Sequence, residues 1–274
     1  MKKALLILAL FILVATGCSQ AANTTVQQEQ STIQKVLERK KLIVGFGLGD
    51  MPFHMKNKKE EWIGYEVDLA NAMAKALNVD LEFKQYDFSA LIPALQNGNI
   101  DLIISALTIR GDRALAVSFS DPYYSTGQAL LIPKTDNVTK SWQDLDKPGK
   151  VIAVSQGSTG ALLTKEIMKH AEIKDFDDLT NAAMAVGQGR MDGLIFDETA
   201  LRIYELMYPD NVKGIYDLIS SENLGIAVKK NDLDSILWLN AFLSSYKNSP
   251  DDIASHNKWF ESNEWLGEVP QTKQ

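Results

Sequence analysis

The residues of this 274-residue chain that could do chemistry are scattered, and their spacing argues against most of it. His54, His170 and His256 stand far apart, with no H-E-x-x-H pair and no Cys/His spacing, so no metal site is expected. Gly187 and Gly189 lie in the run GQGRMDG, which follows a helical stretch and precedes an apolar one. That is the reverse of a dinucleotide or phosphate loop, and no cofactor is expected. Carboxylates are plentiful, yet no pair is set apart as an acid/base couple. Gly157-Ser158-Thr159-Gly160 is better placed, after the apolar run Val151–Val154 and at the opening of a helix. Backbone N–H groups and the helix dipole there suit an anion such as a carboxylate. The motif lacks the Lys-Ser/Thr ending of a P-loop, and Ser158 directly after Gly157 does not make a nucleophile elbow. Binding without covalent chemistry is the expectation.

The elements that must position this motif alternate. Leu42–Val44, Leu81–Phe83, Asp101–Ile104 and Val151–Val154 read as short strands. Between and after them, Tyr65–Leu77, Ala90–Gln96 and about Ala161–His170 carry helical spacing. Such alternation predicts a mixed, mostly parallel sheet flanked by helices. One stretch recurs: Ala94 to Ser105 matches Ala185 to Phe196, each reading helix, Gly98 or Gly189, Asp101 or Asp192, then a buried strand. The glycines suit the left-handed turn that ends a helix. Two α/β lobes of comparable design would place both strand ends toward a shared cleft, where open parallel sheets bind ligands.

Composition bounds the class. With 45% hydrophobic and 23% charged residues the chain can build packed cores, and a net charge of -7 makes nucleic acid an unexpected partner. Lys2 and Lys3 precede the apolar run Ala4–Val14 and then Ala15-Thr16-Gly17-Cys18. The run is too short for a spanning helix, which needs about 20 residues, and reads as an export signal. Small residues before the single cysteine resemble a bacterial lipoprotein box, with Ala15 where leucine is most usual. Residues 1–18 are thus expected to be a signal peptide, with Cys18 lipidated and anchoring an extracytoplasmic protein in the membrane. Residues 19–34, rich in Gln, Thr, Ser and Asn, are expected to be a flexible tether.

Several motifs in fixed order carry a family resemblance from about Lys35 to Gly267. They are Pro52-Phe53, Gly64-Tyr65-Glu66-Val67-Asp68-Leu69-Ala70, Phe88 to Leu95, Ile100 to Ser105, and Arg113. Ser118 to Tyr124, Gly157-Ser158-Thr159-Gly160 and Asp197-Glu198 complete the series. The chain resembles the polar amino-acid-binding proteins of bacterial ABC importers, family 3 of the extracellular solute-binding proteins. The resemblance implies a type II periplasmic-binding-protein-like fold, two α/β lobes joined by a two-strand hinge. Lobe 1 would comprise residues 35–124 and 225–270, and lobe 2 residues 129–220, with the hinge near 124–128 and 220–225.

Roles follow from the resemblance for the matching positions. Arg113 would clamp a ligand α-carboxylate through two parallel hydrogen bonds, and the N–H groups near Ser158 and Thr159 would hold it from the other lobe. Asp197 would take the α-ammonium, helped by Ser105, the Ala106 carbonyl and the Thr108 hydroxyl. Phe88 and Phe196 would supply apolar walls, while Trp62 fits surface packing better than a wall. Two departures stand out: Asp50 occupies a position where the family usually has an aromatic residue, and Gly47 one where an acid is frequent. A desolvated carboxylate at Asp50 would favour a ligand with a basic or amide side chain, unless it turns outward to Lys56 or Lys58. The implied partners are that free amino acid and an ABC permease with its ATPase, and the protein itself is expected to be a monomer. The alternatives are a same-fold enzyme such as a cyclohexadienyl dehydratase, and an amino-acid-sensing lipoprotein that feeds no transporter.

Overall fold

The computed structural model describes residues 30–270; the expected export signal and Cys18, and residues 19–29 of the expected tether, lie outside them. Helix α1 (Thr32–Arg39) leads into β1 (Lys41–Phe46), and a small hairpin of β2 (Met55–Lys56) and β3 (Trp62–Ile63) precedes α2 (Tyr65–Leu77). Next come β4 (Asp80–Gln85), α3 (Leu91–Gln96), β5 (Leu102–Ile103), β6 (Val117–Phe119) and β7 (Tyr124–Thr126). The chain continues through β8 (Gln128–Pro133), β9 (Val151–Ser155), α4 (Thr159–Ile167), β10 (Glu172–Phe176), α5 (Leu179–Gly187) and β11 (Gly193–Asp197). It closes with α6 (Glu198–Met207), β12 (Val212–Ile215), β13 (Glu222–Leu224), β14 (Ala227–Lys229), α7 (Leu233–Tyr246) and α8 (Pro250–His256).

Two five-stranded sheets result, in the orders β4-β1-β5-β14-β6 and β10-β9-β11-β8-β12. In each, the first three strands run parallel and the fourth is antiparallel to both neighbours. The two lobes therefore share one topology, although their fourth strands come from opposite ends of the chain order. Between the sheets, β7 and β13 pair antiparallel as a two-stranded ribbon. Apolar runs explain the strands: Ala129 to Ile132 on β8 and Leu194 to Phe196 on β11 are buried on both faces, as sheets covered by helices require. Each such Leu or Ile contributes roughly 1.5–3 kcal/mol on burial.

The recurring stretch is structural. Gly98 and Gly189 sit just past α3 and α5 at φ 73° and 70°. Asp101 exchanges two bonds with the backbone of Ile43 on β1, its N–H to the Ile43 carbonyl and its Oδ2 accepting the Ile43 N–H, both 2.8 Å. Asp192 does the same with Val151 on β9, again at 2.8 Å each. Each aspartate thus joins the start of one strand to the start of the neighbouring first strand.

Two expected boundaries shift. The expected tether would run to residue 34, but Ser31 caps α1 by accepting the Gln34 N–H, and the N–H groups of Thr32 and Ile33 dock on Asp232 and Ser235 at the head of α7. Helix α4 begins at Thr159, earlier than expected, because the Ser158 hydroxyl accepts the Ala161 N–H at 3.0 Å, and it ends at Ile167 where Met168 turns extended.

Candidate binding cleft

Four strand ends converge between the lobes. The residues after β1 (Gly47 to Asp50) and β5 (Ser105 to Thr108) face those after β9 (Gly157 to Thr159) and at the end of β11 (Phe196, Asp197) across a narrow cavity. Asp50, Phe88, Ser105, Ala106, Thr108, Arg113, Ser158, Thr159, Phe196 and Asp197, the ten residues singled out from sequence, all line it. Trp62 does not line it; it packs behind, against Phe46 and Phe83, with the Lys56 ammonium over its ring.

Arg113 opens a short 3₁₀ turn capped by Asp112, which aims its side chain into the cleft. Its guanidinium donates to the Thr108 carbonyl and, across the cleft, to the Gly157 carbonyl, both at 3.0 Å, and lies 5.5 Å from the Phe88 ring centre. Two of five N–H donors thus hold the fork in place, and planar geometry keeps the others aligned. Burial lowers its pKa to about 10, still cationic at neutral pH.

Asp197 occupies the N-cap position of α6 but makes no side-chain cap bond. Its Oδ1 instead accepts from the Gln128 amide. Burial, with the nearby Glu222 carboxylate adding to it, pushes its pKa up to about 8, against the pull of Gln128 and Arg113. Asp50 is turned inward as well. Its backbone is pinned by paired bonds with His54, while Lys56 reaches Glu60 and Lys58 reaches the Gly267 carbonyl. Its buried Oδ1 has no partner among the described residues, and burial together with Asp197 and Glu66 holds the carboxyl well above the usual range.

Behind the cavity wall formed by the residues after β1 and β5 lies a buried polar cluster. Glu66 accepts from the Ala106 N–H at 2.6 Å and from the Tyr123 hydroxyl, and its other oxygen sits 2.7 Å from His54 Nδ1. Ala106 is held at φ 44°, a strained value for a residue with a Cβ. Ser105 accepts the Gly47 N–H at 2.9 Å. On the opposite lobe, the Ser158 N–H donates to the Ser155 carbonyl at 3.1 Å, so it turns into its own loop here and does not point at the cavity.

Sequence reasoning passed over His54, which lines the cavity, and Glu66, Gln128 and Glu222 behind it. Glu66 was inside a quoted motif, and Gln128 and Glu222 inside the stretches read as connectors. The one available signal was the glycine of the Ser158-Thr159-Gly160 turn: a Cβ at 160 would lie 2.5 Å from Gln128 Oε1, so a side chain must pass there.

The model of the family described as bacterial extracellular solute-binding proteins, family 3, matches residues 42–262. The chain belongs to that family. Among curated relatives, a probable histidine-binding protein of Neisseria gonorrhoeae is 33% identical over 76% of this chain and 79% of its own. The glutamine-binding protein GlnH of Bacillus subtilis (strain 168) is 32% identical over 93% of this chain and 95% of its own. The solved structure of an ancestral arginine-binding protein bound to arginine superposes with a TM-score of 0.77 at 36% identity, covering 81% of this chain and 99% of that one. Family members are extracellular solute-binding proteins, and this chain carries their two-lobed architecture with its cavity at the junction.

Proposed function

We propose that the protein is the extracytoplasmic binding component of an amino-acid ABC importer, and that it closes its lobes around a free amino acid with a basic or amide side chain. The observation that carries this is the order of charges around one cavity: Arg113 beside the helix opening of α4, Asp197 opposite, and Asp50 with an unpartnered buried oxygen. Arg113 takes the α-carboxylate, with the Ser158 hydroxyl, in place of its inward-turned N–H, and Thr159 completing that end; Asp197 takes the α-ammonium with Ser105, Ala106 and Thr108; Phe88 and Phe196 wall the stem. Asp50 receives the side-chain cation or N–H. Relatives that bind histidine, glutamine and arginine fit that range.

Closure is by lobe 1 (35–124 and 225–270) moving against lobe 2 (129–220) about segments 124–128 and 220–225, where β7 and β13 pair. The ligand favours the closed form through contacts that exist only there. The chain is a monomer that delivers its ligand to a permease and its ATPase, held to the membrane by lipid on Cys18.

A thermal-shift panel of the twenty amino acids tests the reading. A ligand at a hundredfold its Kd adds about 2.7 kcal/mol, roughly 5–10 °C for a chain of this size. Arginine, lysine, histidine or glutamine should lead; a panel led by glutamate or aspartate, or no shift at all, refutes it. A second reading, a dehydratase on the same scaffold, draws on the Asp50 carboxyl, whose pKa burial raises, inside the cavity. Release of water and carbon dioxide from a cyclohexadienyl acid, its hydroxyl leaving with the Asp50 proton and its ring gaining the electron pair of the lost carboxyl group, and abolished in Asp50→Asn, would establish that one instead.

A further inference from the structure

Glu222 stands on β13, outside the ring of residues that line the cavity, yet it holds two of them. Its Oε2 accepts the hydroxyl of Thr108, from one lobe, and the hydroxyl of Thr159, from the other, each at 2.7 Å. Thr159 Oγ1 in turn receives the Gln128 amide at 3.2 Å, and the same amide nitrogen donates to Asp197. The Glu222 carboxylate accepts both hydroxyl protons, so Thr159 Oγ1 can only accept from Gln128, and the amide nitrogen it draws in is the one that faces Asp197. Thr108 spends its proton on Glu222 and keeps lone pairs for the cavity. Gln128 must offer nitrogen, not oxygen, to Asp197, which leaves its own Oε1 buried without a partner among the described residues.

We propose that Glu222 is a positioning residue for ammonium recognition: through Thr108, Thr159 and Gln128 it makes the cleft present acceptors to an α-ammonium group. The proposal rests on the ligand's being an amino acid. A glutamine at 222 could offer N–H to either threonine, reverse Thr108 and release Gln128 to flip.

Titration calorimetry with L-lysine and with 6-aminohexanoate, the same molecule without its α-amino group, reads the effect. Glu222→Gln should weaken L-lysine about tenfold or more and leave 6-aminohexanoate within about twofold, while Glu222→Asp retains most of the preference. In a Thr108→Val, Thr159→Val background the substitution should have no further effect, because its route to the site is gone. Equal weakening of both compounds means that Glu222 serves only the fold of the connector, and unchanged L-lysine binding overturns the proposal outright. Should the wild type take neither compound, the basic-ligand reading falls separately, and carbon NMR of the ligand-free protein then decides for Glu222. In Glu222→Gln the lost charge lowers the Asp197 carboxyl titration and the released Gln128 N–H raises it, so the titration should fall less than in the Thr108→Val, Thr159→Val background, where the relay is already gone. Equal falls in the two backgrounds overturn the proposal.

Discussion

Arg113 and Asp197 divide the work of holding a zwitterion, and each is costly to leave unpaired. Truncating either strands a ligand charge in a buried site, a loss of about 2–5 kcal/mol. Calorimetry on Arg113→Ala and Asp197→Ala should therefore show affinity lower by tens of fold or more, with the melting transition still cooperative. Asp197 makes a further, opposite prediction for the ligand-free protein. Its folded pKa is raised to about 8 from 3.8, and that of Asp50 is raised too, so between these values the folded state holds protons that the unfolded state has released. Stability from these groups is present below about pH 4 to 5 and is lost as pH rises toward 8. Asp197→Asn should accordingly raise the melting temperature at pH 8 while it weakens binding, and the gain should shrink at pH 5. A melting temperature for Asp197→Asn below wild type at both pH values would contradict this. Binding of a cationic ligand should draw the proton from Asp197, so calorimetric heats in buffers of different ionisation enthalpy should differ.

At the scale of elements, the helix-glycine-aspartate-strand repeat was legible because it follows local rules: a left-handed glycine ends the helix and a carboxylate ties two strand starts. Asp101 is nearly enclosed and also pairs with Arg39, whereas the Asp192 side chain is 30% exposed beside Lys150. Asp101→Ala should thus cost about 1–3 kcal/mol in urea unfolding, Asp192→Ala visibly less, and neither should alter affinity. The strand ends were readable from local pattern in the same way, whereas the ten residues that line the cavity were named through the family resemblance that the ordered motifs carry. Gln128, Glu222 and the His54–Glu66 pair were not, because each matters through a contact across 12 or more positions that no periodicity marks. The tether limit was misplaced for the same reason: Thr32 and Ile33 are ordered by Asp232 and Ser235, two hundred positions away in sequence.

For the whole molecule, the two sheets have the same order yet unlike histories along the chain. All five strands of the second, from β8 to β12, lie in one uninterrupted stretch between Gln128 and Ile215. The first sheet has four strands by Phe119, but its penultimate strand is β14, from Ala227 to Lys229, which must slot between β5 and β6 after the whole second sheet has passed. Until it arrives, both of those neighbours carry open edges. A chain that emerges N-terminus first can therefore finish its second half before its first, and the half begun earliest stays exposed longest to stray pairing. Pulse-labelled hydrogen exchange during refolding should find β9 and β11 protected ahead of β5 and β6. The same order means that the late strand, a mere three residues, closes the jaw to which the rest of the molecule is attached.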